Sequence, residues 1–178
     1  MALKNTADSY GWLAKLLHWT IAVLIVGLIT AGLTFTSMER GDARTELAGL
    51  HKSVALLTLM LMAIRLIWRL ANPRPADPPG TPRWQAAAAL WVHWLLYAGV
   101  FSQLTIGLLV AGQREISFFG LFSFGPFLVE NEEQHHFFEE LHEIGWIVVA
   151  VLAVVHIIAA LYHHFGLKDD VLRRMTTG

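Results

Sequence analysis

Four stretches of this chain are long and apolar enough to cross a bilayer, and that restricts the fold more than any other feature. They cover residues 15–36, 51–71, 86–112 and 142–165. Crossing the hydrocarbon, roughly 30 Å thick, takes about 20 helical residues. Lipid offers no partner to backbone N–H and C=O groups, and no barrel-like alternation is present, so each stretch is expected to be a helix. The first, which carries Lys15, His18 and Trp19, is longer than a signal h-region and reads as a retained span. The expected fold is all-α: one integral membrane four-helix bundle occupying residues 1–178.

The connections and charges orient the bundle. Asn72 to Arg83 holds five of the six prolines and reads as an extended linker, whereas 37–50 reads as a short charged loop. Residues 113–141 form a longer loop, whose aromatic ISFFGLFSFGPFLV suggests a segment lying at the interface. Nine of the thirteen basic residues fall on the side of the termini and the proline linker, with four of the fourteen acids. That side carries +5 and the other −6, so both termini are expected in the cytoplasm.

The polar content of the spans then carries the chemistry. Only 15% of the 178 residues are charged, and there is no cysteine, which excludes iron–sulfur clusters, zinc–thiolate sites and c-type haem attachment. Nothing points to a nucleic-acid partner; membrane lipid is the expected surrounding. Nine histidines remain as candidate ligands. His142 and His156 stand 14 residues apart on the fourth span, about four turns and about 21 Å of rise, so they share a face at two depths.

Chain direction supplies their partners. The first span starts inside, so His18 matches His156 in depth; the second starts outside, so His51 matches His142. Each pair would present one imidazole from each of two helices to opposite faces of a haem. A single membrane histidine is usually a packing or interfacial residue, but four that pair by depth are not explained that way. Arg65 follows His51 by 14 residues, on the same face and at the inner depth, where no carboxylate lies and a haem propionate would be its anion. His93 and His164 read as interfacial, and His135 and His136 as solvated. Gly27, Gly32 and Gly107 read as close-packing positions that also leave room for a macrocycle.

Several motifs resemble one known family. They are the HW pair at His18 and Trp19, His51 followed by MAIRLIWRL around Arg65, and His93 with Tyr97 in WVHWLLY. Most specific is the order His142, His156, ALYHHF and LKDDVLRRM at the end. In these the chain resembles, over nearly its whole length, the small bacterial di-haem cytochrome b561 proteins, which include superoxide oxidases. The resemblance implies two b haems on His18, His51, His142 and His156, the set that spacing also selects. It implies a place in the bacterial inner membrane and ubiquinone as electron acceptor, with His163 the matching position for the quinone; no catalytic residue is assigned. Superoxide is the donor it implies. The alternative is a non-enzymatic subunit relaying electrons between a soluble redox protein and the quinone pool. The −6 outer face opposes an anionic donor unless Arg40, Arg44, Lys52 and Arg114 gather into a positive mouth.

Overall fold

A computed structural model describes residues 2–177. Four long helices make the molecule: α1 (Trp12–Ser37), α2 (Asp42–Ala71), α3 (Arg83–Ala111) and α4 (Glu132–Leu161). Among the described residues these are the four helices apolar and long enough to cross a membrane, α4 running on through a π-helical turn, Tyr162–Leu167. α1 packs along α2, α3 along α4, and α2 against α3. Ile21, Leu28, Met62, Tyr97, Val100, Leu104 and Val149 meet between them.

The apolar residues that face outward are as informative as the core. Val23 is 70% exposed, Ile67 67% and Ile158 60%. A water-soluble bundle would leave such faces polar; these suit lipid. Two span hydroxyls bond within their own helices: Thr30 donates to the Val26 carbonyl at 2.9 Å and buried Thr58 to that of Val54 at 2.7 Å.

The helices extend well past the apolar stretches at the end away from the termini, termed the outer end after the expected orientation. Residues 42–50 are the first turns of α2, leaving only 38–41 as the joint to α1, and 132–141 are the first turns of α4. Hydropathy marks where hydrocarbon begins, but the backbone hydrogen-bond ladder continues into water. The start of α4 has its own signal: the Asn131 side chain accepts the Gln134 N–H at 2.9 Å, and Glu132 and Glu133 occupy the positive end of the helix dipole.

Between α3 and α4 the aromatic segment forms a hairpin, β1 (Ile116–Phe118) against β2 (Phe122–Phe124), with Ser117 opposite Ser123. Gly120 takes a φ of 72° at its turn, a conformation that favours glycine. Ser53, which is 2% exposed on α2, holds the hairpin. Its hydroxyl accepts the Phe119 N–H at 3.0 Å and lies 3.0 Å from the Ser117 carbonyl oxygen.

The opposite end is closed by the termini and the proline linker. Asn5 donates to the Pro73 carbonyl at 3.0 Å, and the Ala76 N–H to that of Ala7 at 2.8 Å. Arg174 donates to the Ala76 carbonyl, and the Trp19 indole N–H to that of Met175 at 2.8 Å. The C-terminal tail thus lies against Trp19 near the start of α1.

Candidate functional site

The four span histidines come together as two pairs. His18 of α1 faces His156 of α4 with ring centres 6.2 Å apart and planes at 77°. His51 of α2 faces His142 of α4 at 6.4 Å and 80°. Both rings of α4 lie on one face because 14 residues return a helix to nearly the same azimuth. The bundle therefore carries one imidazole pair near each end, α4 contributing to both.

Glycines make room for the outer pair. A Cβ on Gly107 would lie 2.8 Å from His142 Cε1 and 3.2 Å from its Nδ1, so only glycine lets the ring sit there. A Cβ on Gly32 would meet His51 Cε1 at 3.5 Å, ordinary contact. Gly27 differs from expectation: a Cβ there would meet nothing within 4 Å, so close packing is not its role.

Gln103 of α3 was not singled out by the sequence, yet it is the polar neighbour of His142. Its amide nitrogen donates to the His142 carbonyl at 2.9 Å and lies 3.1 Å from His142 Nδ1. Gly145 is required beside it, since a Cβ there would fall 2.1 Å from Gln103 Oε1. A lone amide in the middle of an apolar span is the signal that would have found it.

Around the inner pair, Arg65 donates its Nε–H to the buried Tyr97 hydroxyl at 3.0 Å. No carboxylate pairs with Arg65 among the described residues. Arg69 lies over the Trp94 and Tyr97 rings, 5.1 and 5.3 Å from their centres, which holds it as a cation–π partner rather than a free snorkelling charge. His93 is not simply interfacial. Its ring centre is 5.1 Å from that of His156, and its Nδ1–H donates to the Ala89 carbonyl at 2.5 Å. His163, two turns beyond His156, donates Nδ1–H to Asp169 Oδ2 at 2.6 Å.

On the outer side the four basic residues do gather. Arg40, Arg44, Lys52 and Arg114 line one cavity of about 520 Å³, with Glu115 at its wall. Arg40 lies in the joint before α2 and Arg44 in its first turn, Lys52 follows His51 in the chain, and Arg114 arrives from the far side through the Ser53-anchored hairpin segment. His135 and His136 stand apart from it on the first turns of α4, His136 being 3.6 Å from Glu139.

Comparison with known proteins places this architecture. Residues 9–178 match the family described as prokaryotic cytochrome b561. The chain is 35% identical to cytochrome b561 homolog 2 of Escherichia coli (strain K12), over 98% of this chain and 95% of that one. It is 31% identical to cytochrome b561 homolog 1 of the same organism, over 89% and 92%. A probable superoxide oxidase, CybB, of Yersinia pestis is 25% identical over 89% and 90%.

Proposed function

This chain belongs to the prokaryotic cytochrome b561 family of membrane electron-transfer proteins, and on that footing we propose that it carries electrons from superoxide outside to ubiquinone through two b haems. The family implies b-type haem; the number of haems, the ligands and the two substrates are our reading. One observation carries it, the spacing of the two imidazole pairs. Metal–imidazole bonds are about 2.0–2.1 Å and a ring nitrogen lies about 1.1 Å from its ring centre, so two imidazoles on opposite sides of one metal have centres about 6.3 Å apart. The pairs stand at 6.2 and 6.4 Å, and a Cβ on Gly107 would destroy one of them.

In this reading His18 and His156 would hold the inner haem and His51 and His142 the outer. Held by two imidazoles each, such haems would supply one-electron transfer rather than oxygen binding. The remaining residues position and tune. Tyr97 fixes the Arg65 guanidinium through Nε, leaving its terminal nitrogens to receive an inner propionate. Gln103 sets the hydrogen bonding of His142, which governs ligand basicity. His163 meets the quinone at the inner end, with His93 beside His156 as a second polar group. Two superoxide anions give up one electron each, and quinone with those two electrons and two protons becomes quinol.

The outer cavity is what favours superoxide. The outer side sums to −6, but four basic side chains converge beside the His51 end of the outer pair. Such a local field raises the encounter rate of a small anion, and screening limits the opposing acids to within about 8 Å at physiological salt. A second reading has its own support. The first turns of α4 carry Glu132, Glu133, Glu139, Glu140 and Glu143, an acidic projection suited to a basic soluble redox protein.

Stopped-flow spectroscopy of the haem-loaded protein separates the two. Superoxide generated by xanthine oxidase should reduce the haems within the mixing experiment, and ubiquinone should reoxidise them. Haems that superoxide leaves oxidised, but that a basic cytochrome or flavoprotein reduces, would establish the second reading.

A further inference from the structure

The inner end of the molecule holds a carboxylate–imidazole pair that electron transfer alone does not require. α4 does not stop at Leu161 but widens into the π-helical turn Tyr162–Leu167, and Lys168 then takes a left-handed conformation, φ 56°, that turns the chain back. The turn delivers Asp169 to His163. Its N–H donates to the His163 carbonyl at 3.2 Å, and its Oδ2 accepts the His163 Nδ1–H at 2.6 Å. Oδ1 is engaged as well, accepting the Val171 N–H at 3.0 Å. Both side chains are only 19% exposed. The carboxylate is thus fixed at both oxygens, and it fixes the ring, whose Nε2 is left as the other polar atom.

We propose that Asp169 is the positioning residue that makes His163 a proton donor to the quinone, an inference that rests on His163 lying at the quinone site. Converting quinone to quinol takes two electrons and two protons. The electrons come one at a time from the outer donor. Protonated at both nitrogens, His163 gives its Nε2 proton to one quinone carbonyl oxygen as that C=O becomes C–OH, while Nδ1–H stays on Asp169. Water on the same side supplies the second proton and reprotonates the ring. The carboxylate balances the imidazolium and holds the ring in the orientation that presents Nε2. Asp169→Asn is the decisive change. The amide keeps an oxygen for Val171 N–H and nearly the same shape, but it removes the charge and the fixed Nδ1–H tautomer.

The test uses the purified haem-loaded protein, reduced and mixed with ubiquinone-1, with haem reoxidation followed optically. Asp169→Asn should lower the saturating rate about 10- to 100-fold with the quinone concentration at half-saturation changed less than about threefold, and Asp169→Glu should restore most of it. A wild-type rate in Asp169→Asn, with His163→Gln slow, overturns the proposal and leaves the quinone site standing. A wild-type rate in His163→Gln removes the quinone site and the proposal together. Should Asp169→Asn not assemble, the native protein decides. Nitrogen-15 histidine NMR, assigned with His163→Gln, must show His163 keeping a proton on Nδ1 and taking up a second on Nε2 as the pH is lowered; a neutral Nε2–H form, or a ring that never gains the second proton, overturns the proposal.

Discussion

Gly107→Ala is the sharpest perturbation available to the outer imidazole pair, because one methyl group is aimed at one ring. The added Cβ would stand 2.8 Å from His142 Cε1 and 3.2 Å from Nδ1. Relief to an ordinary carbon–carbon separation of about 3.6 Å requires the ring to retreat about 0.8 Å. The retreat is opposed by Gln103, bonded to the His142 carbonyl at 2.9 Å and itself pressed on Gly145. Overpacking of this kind costs about 1–3 kcal/mol, against which alanine recovers up to about 1 kcal/mol of helix propensity. A haem ligand displaced by about 0.8 Å is far outside the few tenths of an ångström that metal–nitrogen bonds tolerate. We therefore expect Gly107→Ala to lose or weaken the outer haem alone. The assay is pyridine haemochrome stoichiometry per chain, with a potentiometric titration resolving the two components. Gly27→Ala, whose methyl meets nothing within 4 Å, is the control and should keep both haems and be neutral or slightly stabilising. Two haems with unchanged potentials in Gly107→Ala would show that His142 does not hold the outer haem against Gly107.

Three further outcomes follow from the same geometry. His18→Ala and His156→Ala should remove one and the same component of the redox titration, and His51→Ala and His142→Ala the other; different components lost within a pair would break the pairing. Tyr97→Phe leaves the Arg65 Nε–H without its 3.0 Å partner, which should cost about 1–3 kcal/mol in thermal or denaturant unfolding and shift the inner component, with the outer one unmoved. Replacing Arg40 and Lys52 by Gln should slow haem reduction by superoxide and flatten its dependence on ionic strength, measured by stopped flow across a salt series; an unchanged salt slope would show that the mouth does not steer the donor.

How much of this was legible in the sequence depends on which interactions run along a helix and which run across helices. The spans were legible because hydrocarbon imposes a composition on about 20 consecutive residues. The helix ends were not, since α2 and α4 continue through Asp42–Leu50 and Glu132–Leu141 on capping and hydrogen bonding that hydropathy does not measure. Depth was legible because direction alternates from span to span, and it brought His18 opposite His156 and His51 opposite His142. Azimuth between helices was not. Gln103 on His142, Tyr97 on Arg65 and His93 beside His156 depend on how α3 is rotated against α2 and α4, which its nearly uniform apolar sequence leaves unspecified. The same holds for the glycines: Gly27 and Gly107 look alike in sequence, yet only one faces a ring. The outer basic cavity needed Arg114 brought in by the Ser53-anchored hairpin, a contact more than 60 residues apart in the chain.

In the proposed arrangement each imidazole pair grips one haem iron from both sides. Electron paramagnetic resonance of the oxidised, purified protein tests it most directly, with the haem content measured on the same sample. Rings crossed at 77° and 80° predict two highly anisotropic low-spin signals, together accounting for two haems per chain. A single haem per chain, or a high-spin signal from an iron with an open axial position, would contradict it.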